Sequence, residues 1–218
     1  MDSIFSSLRD YRNSFRYFRL QKRYFASGLG DSAWILHGLV RALKPRVCVE
    51  IGAAMGKSAC YIGMALKENR QGKLYSIDPH EQTDWNDTDQ IDTYNSFIKN
   101  IHDFNLDDYV EIVRNFSNKV GPSWKLPIDI IFIDGDHSYE GVKRDWSLFS
   151  PMVSEFGLVV FHDTLWDIRP DPRYARADMG VPRFVEELRS NGYPVVTFDK
   201  NFGVSLVQPT KGGILLSK

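Results

Sequence analysis

The sequence predicts an α/β fold built on a seven-stranded, mostly parallel sheet with helices on both faces. Short and nearly continuous apolar runs alternate with helical patterns along most of the chain, which is typical of parallel strands buried on both sides. The last two strand patterns, over residues 194–198 and 203–207, are joined by a short turn and indicate a hairpin, so the last strand should run antiparallel. A chain of 218 residues is long enough for one such core and short for two.

The first part of the chain, residues 1–44, is expected to form a helical extension that precedes the sheet. Apolar residues recur at helical spacing over residues 3–25, and the remaining face is basic. A Gly-Leu-Gly break separates this helix from a second one, which should begin at Asp31 and end at Lys44. We expect the extension to pack on the domain, with a substrate lid or a homodimer contact as the alternatives. The apolar positions of the first helix are Ile4, Phe5, Leu8, Tyr11, Phe15, Phe18 and Tyr24.

Residues 45–218 are expected to form the α/β domain itself. Strands are predicted over residues 46–51, 73–77, 110–113, 128–133, 157–161, 194–198 and 203–207. Helices are predicted over residues 57–69, 89–104, 139–153 and 181–191. A long loop, residues 164–180, follows the fifth strand and is either a wall for an anionic or hydroxyl-rich molecule or a solvated surface loop. Its polar and aromatic candidates are Arg169, Arg173, Tyr174 and Arg176.

Composition and charge exclude several classes of protein. The net charge of −1 gives no electrostatic footprint for nucleic acid. We find no apolar run long enough to span a bilayer and no signal-peptide pattern. Cys48 and Cys60 both fall inside predicted elements without a zinc-type spacing, as expected of buried thiols in a reducing compartment. The sequence therefore favours a cytoplasmic protein that acts on a small molecule, with no nucleic-acid or membrane partner.

The turn after the first strand, residues 50–58, reads Glu-Ile-Gly-Ala-Ala-Met-Gly-Lys-Ser. A P-loop needs four residues between its glycines, and this loop has three. A dinucleotide fingerprint needs a second glycine where Ala54 stands. Glu50 at the strand end suits a cationic ligand and would repel phosphates. The turn is therefore expected to bind a ligand that carries positive charge and no pyrophosphate, or else to serve only the packing of the helix.

Acidic residues also end three other predicted strands. Asp78 ends the second strand, where a carboxylate commonly accepts hydrogen bonds from both ribose hydroxyls. Asp134 ends the fourth strand, and His162 with Asp163 ends the fifth. Adjacent parallel strands bring these ends together, and clustered carboxylates repel each other unless a cation or a proton is bound. Oxygen ligands with one imidazole suit a divalent metal, and a hydrogen-bonded network without metal is the alternative.

Three motifs resemble those of class I S-adenosylmethionine-dependent methyltransferases. V-E-I-G-x-x-x-G-x-S resembles their motif I, while F-I-D-G-D-H-S-Y-E-G-V-x-x-D-W and V-V-F-H-D-T resemble bacterial enzymes of methyltransferase domain 24 that modify sugars and antibiotics. The last two are also similar to metal-dependent catechol and caffeoyl O-methyltransferases. The resemblance covers residues 46–166 and implies a Rossmann-like fold. The implied contacts to S-adenosylmethionine are Glu50, Gly52, Ala53, Gly56, Ser58, Asp78, Ser117 and Asp134.

The same resemblance implies a metal site and a candidate base. Asp134, His162 and Asp163 match the metal ligands, which would hold Mg²⁺ or Mn²⁺, although those families usually have a carboxylate where His162 stands. His137 and Asp136 are the two candidate bases for deprotonating a hydroxyl acceptor such as a sugar, a phenol or a natural-product scaffold. Two alternatives remain at this point: a metal-independent methyltransferase that uses His137, and a nicotinamide oxidoreductase on a similar sheet.

Overall fold

The computed structural model describes residues 15–25, 27–85, 92–166 and 176–210, and these residues form one sheet with helices packed on it. The strands are β1 (Val47–Ile51), β2 (Lys73–Ile77), β3 (Val110–Val113), β4 (Ile128–Ile133), β5 (Val153–His162), β6 (Val195–Phe198) and β7 (Val204–Val207). The helices are α1 (residues 15–22), α2 (Ala33–Leu43), α3 (Lys57–Asn69), α4 (Thr93–Asp103), α5 (Ser117–Val120), α6 (Tyr139–Phe149) and α7 (Val181–Ser190).

The sheet has the topology that the alternating pattern predicts. Its strand order is β3-β2-β1-β4-β5-β7-β6. Neighbours among β1 to β5 pair in parallel, and β7 is antiparallel to both β5 and β6. The predicted Rossmann-like sheet of seven strands, with an antiparallel last strand, is therefore confirmed. The carboxyl ends of β1 to β5 meet at one edge, which is where open α/β sheets bind ligands.

Both faces of the sheet are buried, which explains why its strands read as continuous apolar runs. In β4, Ile130 and Phe132 pack with α2, α3 and α4 in one core cluster. Ile131 and Ile133 point the other way and pack with α6 and α7 in a second cluster. Because successive side chains of a strand alternate between faces, burial on both sides requires apolar residues at every position.

Three predicted boundaries are wrong by about four residues, and two of them lie in the segment between α6 and β5. The helix predicted to reach residue 153 ends at Phe149, because Pro151 in the following turn cannot donate the backbone hydrogen bond that a continuing helix needs. The strand predicted from residue 157 begins at Val153, which pairs with Ile128 across a local shift in register. The helix predicted to start at residue 89 begins at Thr93, because Asp92 is its N-cap and accepts a hydrogen bond from the N–H of Asn95; residues 89–91 lie outside the described part of the chain.

The N-terminal extension packs on the domain through a different face from the predicted stripe. Phe15 and Phe18 are exposed on α1, whereas Leu20 is buried. Tyr17 faces inward. Its hydroxyl donates a hydrogen bond to Glu68 of α3 and lies 3.1 Å from Nε2 of His37 on α2. Hydrogen bonds with distant side chains, which the sequence spacing does not reveal, set this orientation. The stripe positions Ile4, Phe5, Leu8 and Tyr11 lie outside the described residues.

The roles of this extension as a substrate lid or a homodimer contact stay predictions. None of the described helices is long and apolar enough to span a lipid bilayer.

Candidate active site

A cavity of about 640 Å³ opens at the carboxyl edge of the sheet. Its wall contains residues that follow each of the five parallel strands, together with residues 24–25 and 27–29 from the N-terminal extension and residues of the loops after β2 and β5. The order of the strands divides the cavity wall into two sides, one near β3 and one near β5. The β3 side is formed by Asp78, Ser117 and Asp145, and the β5 side by Asp134, His137, His162 and Asp163. The glycine turn after β1 lies between them.

The glycine turn brings backbone close to the cavity. Gly52 and Gly56 have φ angles of 84° and 83°, which favour glycine. A side chain at Gly52 would overlap the backbone of Asp134 in the neighbouring turn, and one at Gly56 would meet the ring of Phe97. Gly52, Ala53 and Ser58 of the predicted contacts line the cavity, whereas Gly56 shapes the turn without lining it.

Asp78 fastens the glycine turn to the end of β2. One of its carboxylate oxygens accepts hydrogen bonds from the backbone N–H groups of Ala53 (2.7 Å) and Ala54 (3.0 Å). The other accepts from the N–H of His80 at 2.6 Å. A carboxylate offers about four acceptor positions, so roughly one remains for a ligand. The side chain lines the cavity as predicted, but its prediction as a double acceptor for ribose conflicts with these bonds.

Glu50 lies beneath the turn and does not line the cavity. It is fully buried in β1, where one carboxyl oxygen accepts a 2.5 Å hydrogen bond from Ser76 and the other, Oε1, has no hydrogen-bond partner among the described residues. Burial raises the pKa of Glu50 to about 7, against hydrogen bonds that lower it. The direct ligand contact that the sequence predicted for Glu50 is therefore not seen.

Three side chains at the ends of β4 and β5 could hold a metal ion. One potential ligand atom each from Asp134, His162 and Asp163 lies within 4.8 Å of the others. His162 Nδ1 is 3.1 Å from an oxygen of each carboxylate, and its hydrogen bond goes to Asp134. Oδ1 of Asp163 is buried without a hydrogen-bond partner among the described residues. Asp163 also has a φ of 59°, an uncommon conformation for a residue other than glycine.

The environment of His162 fits metal ligation through Nδ1. Its other nitrogen, Nε2, lies 2.9 Å from the backbone carbonyl of Asn201. A carbonyl only accepts, so Nε2 carries a hydrogen and Nδ1 can coordinate a metal. The same position also suits a proton: burial lowers the pKa of His162, but Asp134 and Asp163 raise it to about 9.

His137 reaches the same cluster from the loop after β4. Its Nδ1 is 3.0 Å from Oδ2 of Asp163, and its Nε2 is 3.5 Å from Asp134. Burial lowers the pKa of His137, and the hydrogen bond and charge of Asp163 reverse that effect and raise it overall. The ring of Trp85 lies 5.1 Å from the imidazole, centroid to centroid. The structure thus brings His137 together with all three candidate metal ligands.

Asp136, the other candidate base, is held by the start of α6. Its carboxylate accepts hydrogen bonds from the backbone N–H (3.0 Å) and hydroxyl (2.7 Å) of Ser138, and from Arg144 at 3.1 Å. Burial raises the pKa of Asp136, but these donors outweigh it and hold the pKa below its usual range. Asp136 lines the cavity, yet these bonds favour a structural role over proton abstraction.

The β3 side contains a carboxyl group that is not among the predicted contacts. Asp145, on α6, lines the cavity and is 1% exposed, and it accepts a 2.6 Å hydrogen bond from the predicted contact Ser117. Burial raises the pKa of Asp145 to about 6. The buried positions of α6 include Val142, Trp146 and Phe149, so Asp145 falls on the apolar face of its helix. A charged residue on that face was the signal available in the sequence.

Aromatic residues close the cavity beyond the β5 side. Trp166 stacks on Phe202 with ring centroids 4.4 Å apart. The guanidinium of Arg176 lies 3.8 Å from the centroid of Trp85, and it binds Asp178 and the backbone carbonyl of Asp84.

A backbone clasp joins this wall to the turn that carries His137. The N–H of Gly180 donates to the carbonyl of His137 at 2.8 Å, and Ser138 forms a β-bridge with Met179. The candidates Arg169, Arg173 and Tyr174 lie outside the described residues. Sequence reasoning missed Trp85 and Phe202, which follow no motif.

A family model of a methyltransferase domain matches residues 49–164, which is more than half of the chain. The chain belongs to this methyltransferase family. The resemblance to class I S-adenosylmethionine-dependent methyltransferases is thereby confirmed. The match spans the glycine turn, Asp78, the β4 turn and the His-Asp pair after β5.

Two curated relatives of this chain are described as uncharacterized proteins. The chain is 27% identical over 157 residues to a protein of Acanthamoeba polyphaga mimivirus, covering 69% of this chain and 64% of that protein. It is 28% identical over 143 residues to a protein of Sinorhizobium fredii, covering 61% of this chain and 15% of that protein. The chain therefore spans less than two thirds of the length of either relative.

Solved methyltransferases share the fold. A Podospora anserina methyltransferase solved with S-adenosylhomocysteine matches with a TM-score of 0.67 at 14% identity, covering 90% of this chain and 86% of that one. The O-methyltransferase TomG of Streptomyces achromogenes, involved in tomaymycin synthesis and solved with S-adenosylmethionine, matches with a TM-score of 0.60 at 21% identity. That match covers 84% of this chain and 81% of TomG. At these identities the likeness shows the fold.

Proposed function

We propose that this methyltransferase transfers a methyl group from S-adenosylmethionine to a hydroxyl oxygen of a small molecule, with a divalent cation at Asp134, His162 and Asp163. His137 serves as the base. One observation carries the proposal: the carboxylate–imidazole cluster and the glycine turn line the same cavity, with His137 3.0 Å from Asp163.

The glycine turn and the start of α3 would hold the amino-acid end of the methyl donor. Lys57 and Ser58 line the cavity in the first turn of α3, where backbone N–H groups have no partner within the helix. No acidic residue occupies that turn. A carboxylate is favoured there by the helix dipole and by the ammonium of Lys57. Asp78 would offer its remaining acceptor position to the ribose.

The residues of the β4 and β5 turns fit a divalent cation. Oxygen ligands from two carboxylates and one imidazole nitrogen are a donor set for Mg²⁺ or Mn²⁺, and Oδ1 of Asp163, which is buried and accepts no hydrogen bond from the described residues, is an acceptor that a cation would satisfy. A bound divalent cation lowers the pKa of an acceptor hydroxyl and fixes its position.

His137 is placed to take the hydroxyl proton. With Nδ1–H donating to Oδ2 of Asp163, the lone pair of Nε2 is the basic atom. The acceptor oxygen forms its bond to the methyl carbon as the carbon–sulfur bond breaks, the electron pair of that bond goes to sulfur, and the proton goes to Nε2. The cavity walls align the acceptor with the methyl carbon, and alignment of this kind supplies much of an enzyme's acceleration.

A metal-independent methyltransferase is the second candidate, and one contact favours it. His162 Nδ1 lies 3.1 Å from both Asp134 and Asp163, so a protonated His162 would balance the two carboxylates without a metal. His137 would remain the base. The two candidates differ in whether exhaustive chelation abolishes methyl transfer.

Calorimetry with S-adenosylhomocysteine, with and without Mn²⁺ or Mg²⁺, tests both the donor and the metal. We expect S-adenosylhomocysteine to bind. We also expect Mn²⁺ to bind the protein, with an affinity that Asp163→Asn strongly weakens and that the exposed control Asp107→Asn preserves. Binding of Mn²⁺ that Asp163→Asn leaves intact would remove the proposed metal site. Selective uptake of ATP or NADH, with no S-adenosylhomocysteine bound, would overturn the methyl-donor assignment.

A further inference from the structure

The turn between β6 and β7, residues 199–203, contacts the candidate metal site through its backbone. The carbonyl of Asn201 accepts the hydrogen bond from Nε2 of His162 at 2.9 Å. Nδ1 of the same ring then faces Asp134 and Asp163, each at 3.1 Å. The hydrogen bond at one ring nitrogen sets the tautomer and the orientation that the other nitrogen presents to a ligand. The orientation of the imidazole therefore depends on where this turn holds its carbonyl.

The turn has a backbone conformation that needs support from its surroundings. Its two central residues, Asn201 and Phe202, have φ angles of 47° and 66°, and the N–H of Gly203 donates to the carbonyl of Lys200 at 3.0 Å. Asparagine adopts this region readily, whereas a bulky residue such as phenylalanine does so at a cost. Conformations of this kind persist only where other contacts hold them. Those contacts therefore also determine the position of the Asn201 carbonyl.

Ser32, at the start of α2, supplies one of these contacts. Its side chain is fully buried, and its hydroxyl lies 3.1 Å from the carbonyl of Lys200 and 3.2 Å from Oδ1 of Asn201. A serine at the N-cap of a helix usually accepts a hydrogen bond from a backbone N–H of that helix. Ser32 is the N-cap of α2 and makes no such bond. Its hydroxyl donates to the turn instead of capping its own helix.

The segment before Ser32 packs against the same turn. Gly30 has a φ of 52°, and a Cβ there would lie 2.2 Å from the side-chain nitrogen of Asn201, so this close approach requires glycine. Gly28 lines the cavity, and a Cβ there would lie 4.0 Å from the ring of His162. The N-terminal extension therefore reaches the imidazole directly at Gly28 and through the turn at Ser32.

We propose that Ser32 and Asn201 are positioning residues, whose contact holds the turn so that the Asn201 carbonyl fixes the ring of His162 with Nδ1 toward the two carboxylates. The inference deepens the proposed function and rests on it, since His162 acts there either as a metal ligand or as the cation that replaces the metal. It also makes the packing of the N-terminal extension a condition for the geometry of the site.

Hydrogen exchange of the His162 ring, followed by nuclear magnetic resonance of ¹⁵N-labelled protein, tests the link without a metal or a methyl donor. The chain has five histidines, and the signal that His162→Gln removes identifies the Nε2–H of His162. We expect this proton to exchange with solvent about 5-fold faster in Ser32→Ala than in the wild-type protein, because one supporting hydrogen bond is lost. The matched control is Ser147→Ala, which removes an exposed hydroxyl-to-carbonyl bond on α6 and should leave the rate unchanged.

The backbone N–H groups of β4 separate positioning from a general loss of stability. They should exchange at the same rate in Ser32→Ala and in the wild-type protein, since the link acts on the turn. An unchanged rate at Nε2–H overturns the inference, and so does an equal acceleration at Nε2–H and throughout β4. Should Ser32→Ala not fold, Asn201→Gly decides by the same measurement, because glycine keeps the carbonyl and adopts the same φ.

Binding of Mn²⁺ alone is the second readout. Ser32→Ala and Asn201→Gly should each weaken Mn²⁺ binding about 5-fold, and the double variant should bind it no more weakly than the weaker single variant, because both changes remove one contact. Fully additive losses would contradict a shared link. Failure of Mn²⁺ to bind the wild-type protein would overturn the metal-dependent form of the proposed function, while the exchange rate at Nε2–H would still decide the role of Ser32 and Asn201.

Discussion

The β3 side and the β5 side of the cavity differ in how their buried charges are balanced. On the β3 side, Asp78 is satisfied by three backbone N–H groups and Asp145 by one hydroxyl. On the β5 side, charged groups are balanced largely by one another, and Oδ1 of Asp163 lies near His162 but accepts no hydrogen bond from the described residues. A site held by backbone donors keeps its shape without a ligand, whereas a site of mutually dependent charges responds to whatever cation or proton enters it.

The largest effect is expected on the β5 side, when the proposed general base is replaced. His137→Gln should lower kcat by about 10²- to 10⁴-fold, because proton transfer to a positioned base contributes about that much. Affinity for S-adenosylhomocysteine should change little. Asp136→Asn is the matched control. We expect it to lower kcat much less, because the carboxylate of Asp136 accepts hydrogen bonds that hold the turn before α6. Steady-state kinetics checks this, and a larger loss in Asp136→Asn would exchange the two roles.

The second prediction concerns the removal of one negative charge from the β5 side, which tests how far that side depends on its own charges compared with the β3 side. Asp163→Asn should weaken Mn²⁺ binding by about 100-fold, since a carboxylate ligand and a partner of His137 are lost together. Titration of the bound metal by electron paramagnetic resonance measures the change. Methyl transfer that survives full chelation in the wild-type protein would instead support the protonated His162 described above.

A smaller effect is expected on the β3 side, and it should appear in two properties at once. Asp78→Asn replaces one carboxylate oxygen by an amide N–H₂, so the bonds from the glycine turn or the bond from the N–H of His80 are lost. We expect about 1–3 kcal/mol less stability and about 10-fold weaker binding of S-adenosylhomocysteine. Denaturant unfolding and calorimetry check the two. Weaker binding with unchanged stability would show that Asp78 acts on the ligand alone.

The last effect concerns pH and the carboxyl of Glu50 beneath the glycine turn. The folded pKa of Glu50, about 7, lies above its ordinary value of 4.5, so the folded state favours the protonated form. Stability from this group is fully present below pH 4.5 and falls, by about 1.4 kcal/mol per pH unit, as the pH rises toward 7. Glu50→Gln should flatten that part of the profile. The exposed control Glu111→Gln should not, and equal profiles for both variants would contradict the assignment.

The strands and the position of the site were predictable because they follow from local patterns. Continuous apolar runs predicted buried parallel strands, and parallel strands necessarily end at one edge. Strand alternation could also have placed Glu50: it shares a face with Cys48, opposite Val49 and Ile51, and therefore points under the sheet edge into the core. The charge of Glu50 predicted a ligand contact, whereas the face of β1 on which it lies determines its burial.

Other features depend on contacts between distant parts of the chain. The bonds from Asp78 to the glycine turn follow from backbone positions that no motif encodes. The inward face of α1 is set by Tyr17 meeting Glu68, a pair separated by 51 residues. Asp145 was on the apolar face of its helix, but only the cavity shows that this face meets a ligand site.

The clasp between Gly180 and His137 allows the acceptor wall of the cavity to vary independently of the position of His137. The N–H of Gly180 ties the segment before α7 to the turn that carries His137, the proposed base, and this bond keeps His137 in register with Asp163. We therefore expect substitutions at Trp166 or Arg176, which line the cavity, to change the preference for acceptors while the proposed proton-transfer groups stay aligned. New acceptor specificities would be gained at little cost to the chemistry.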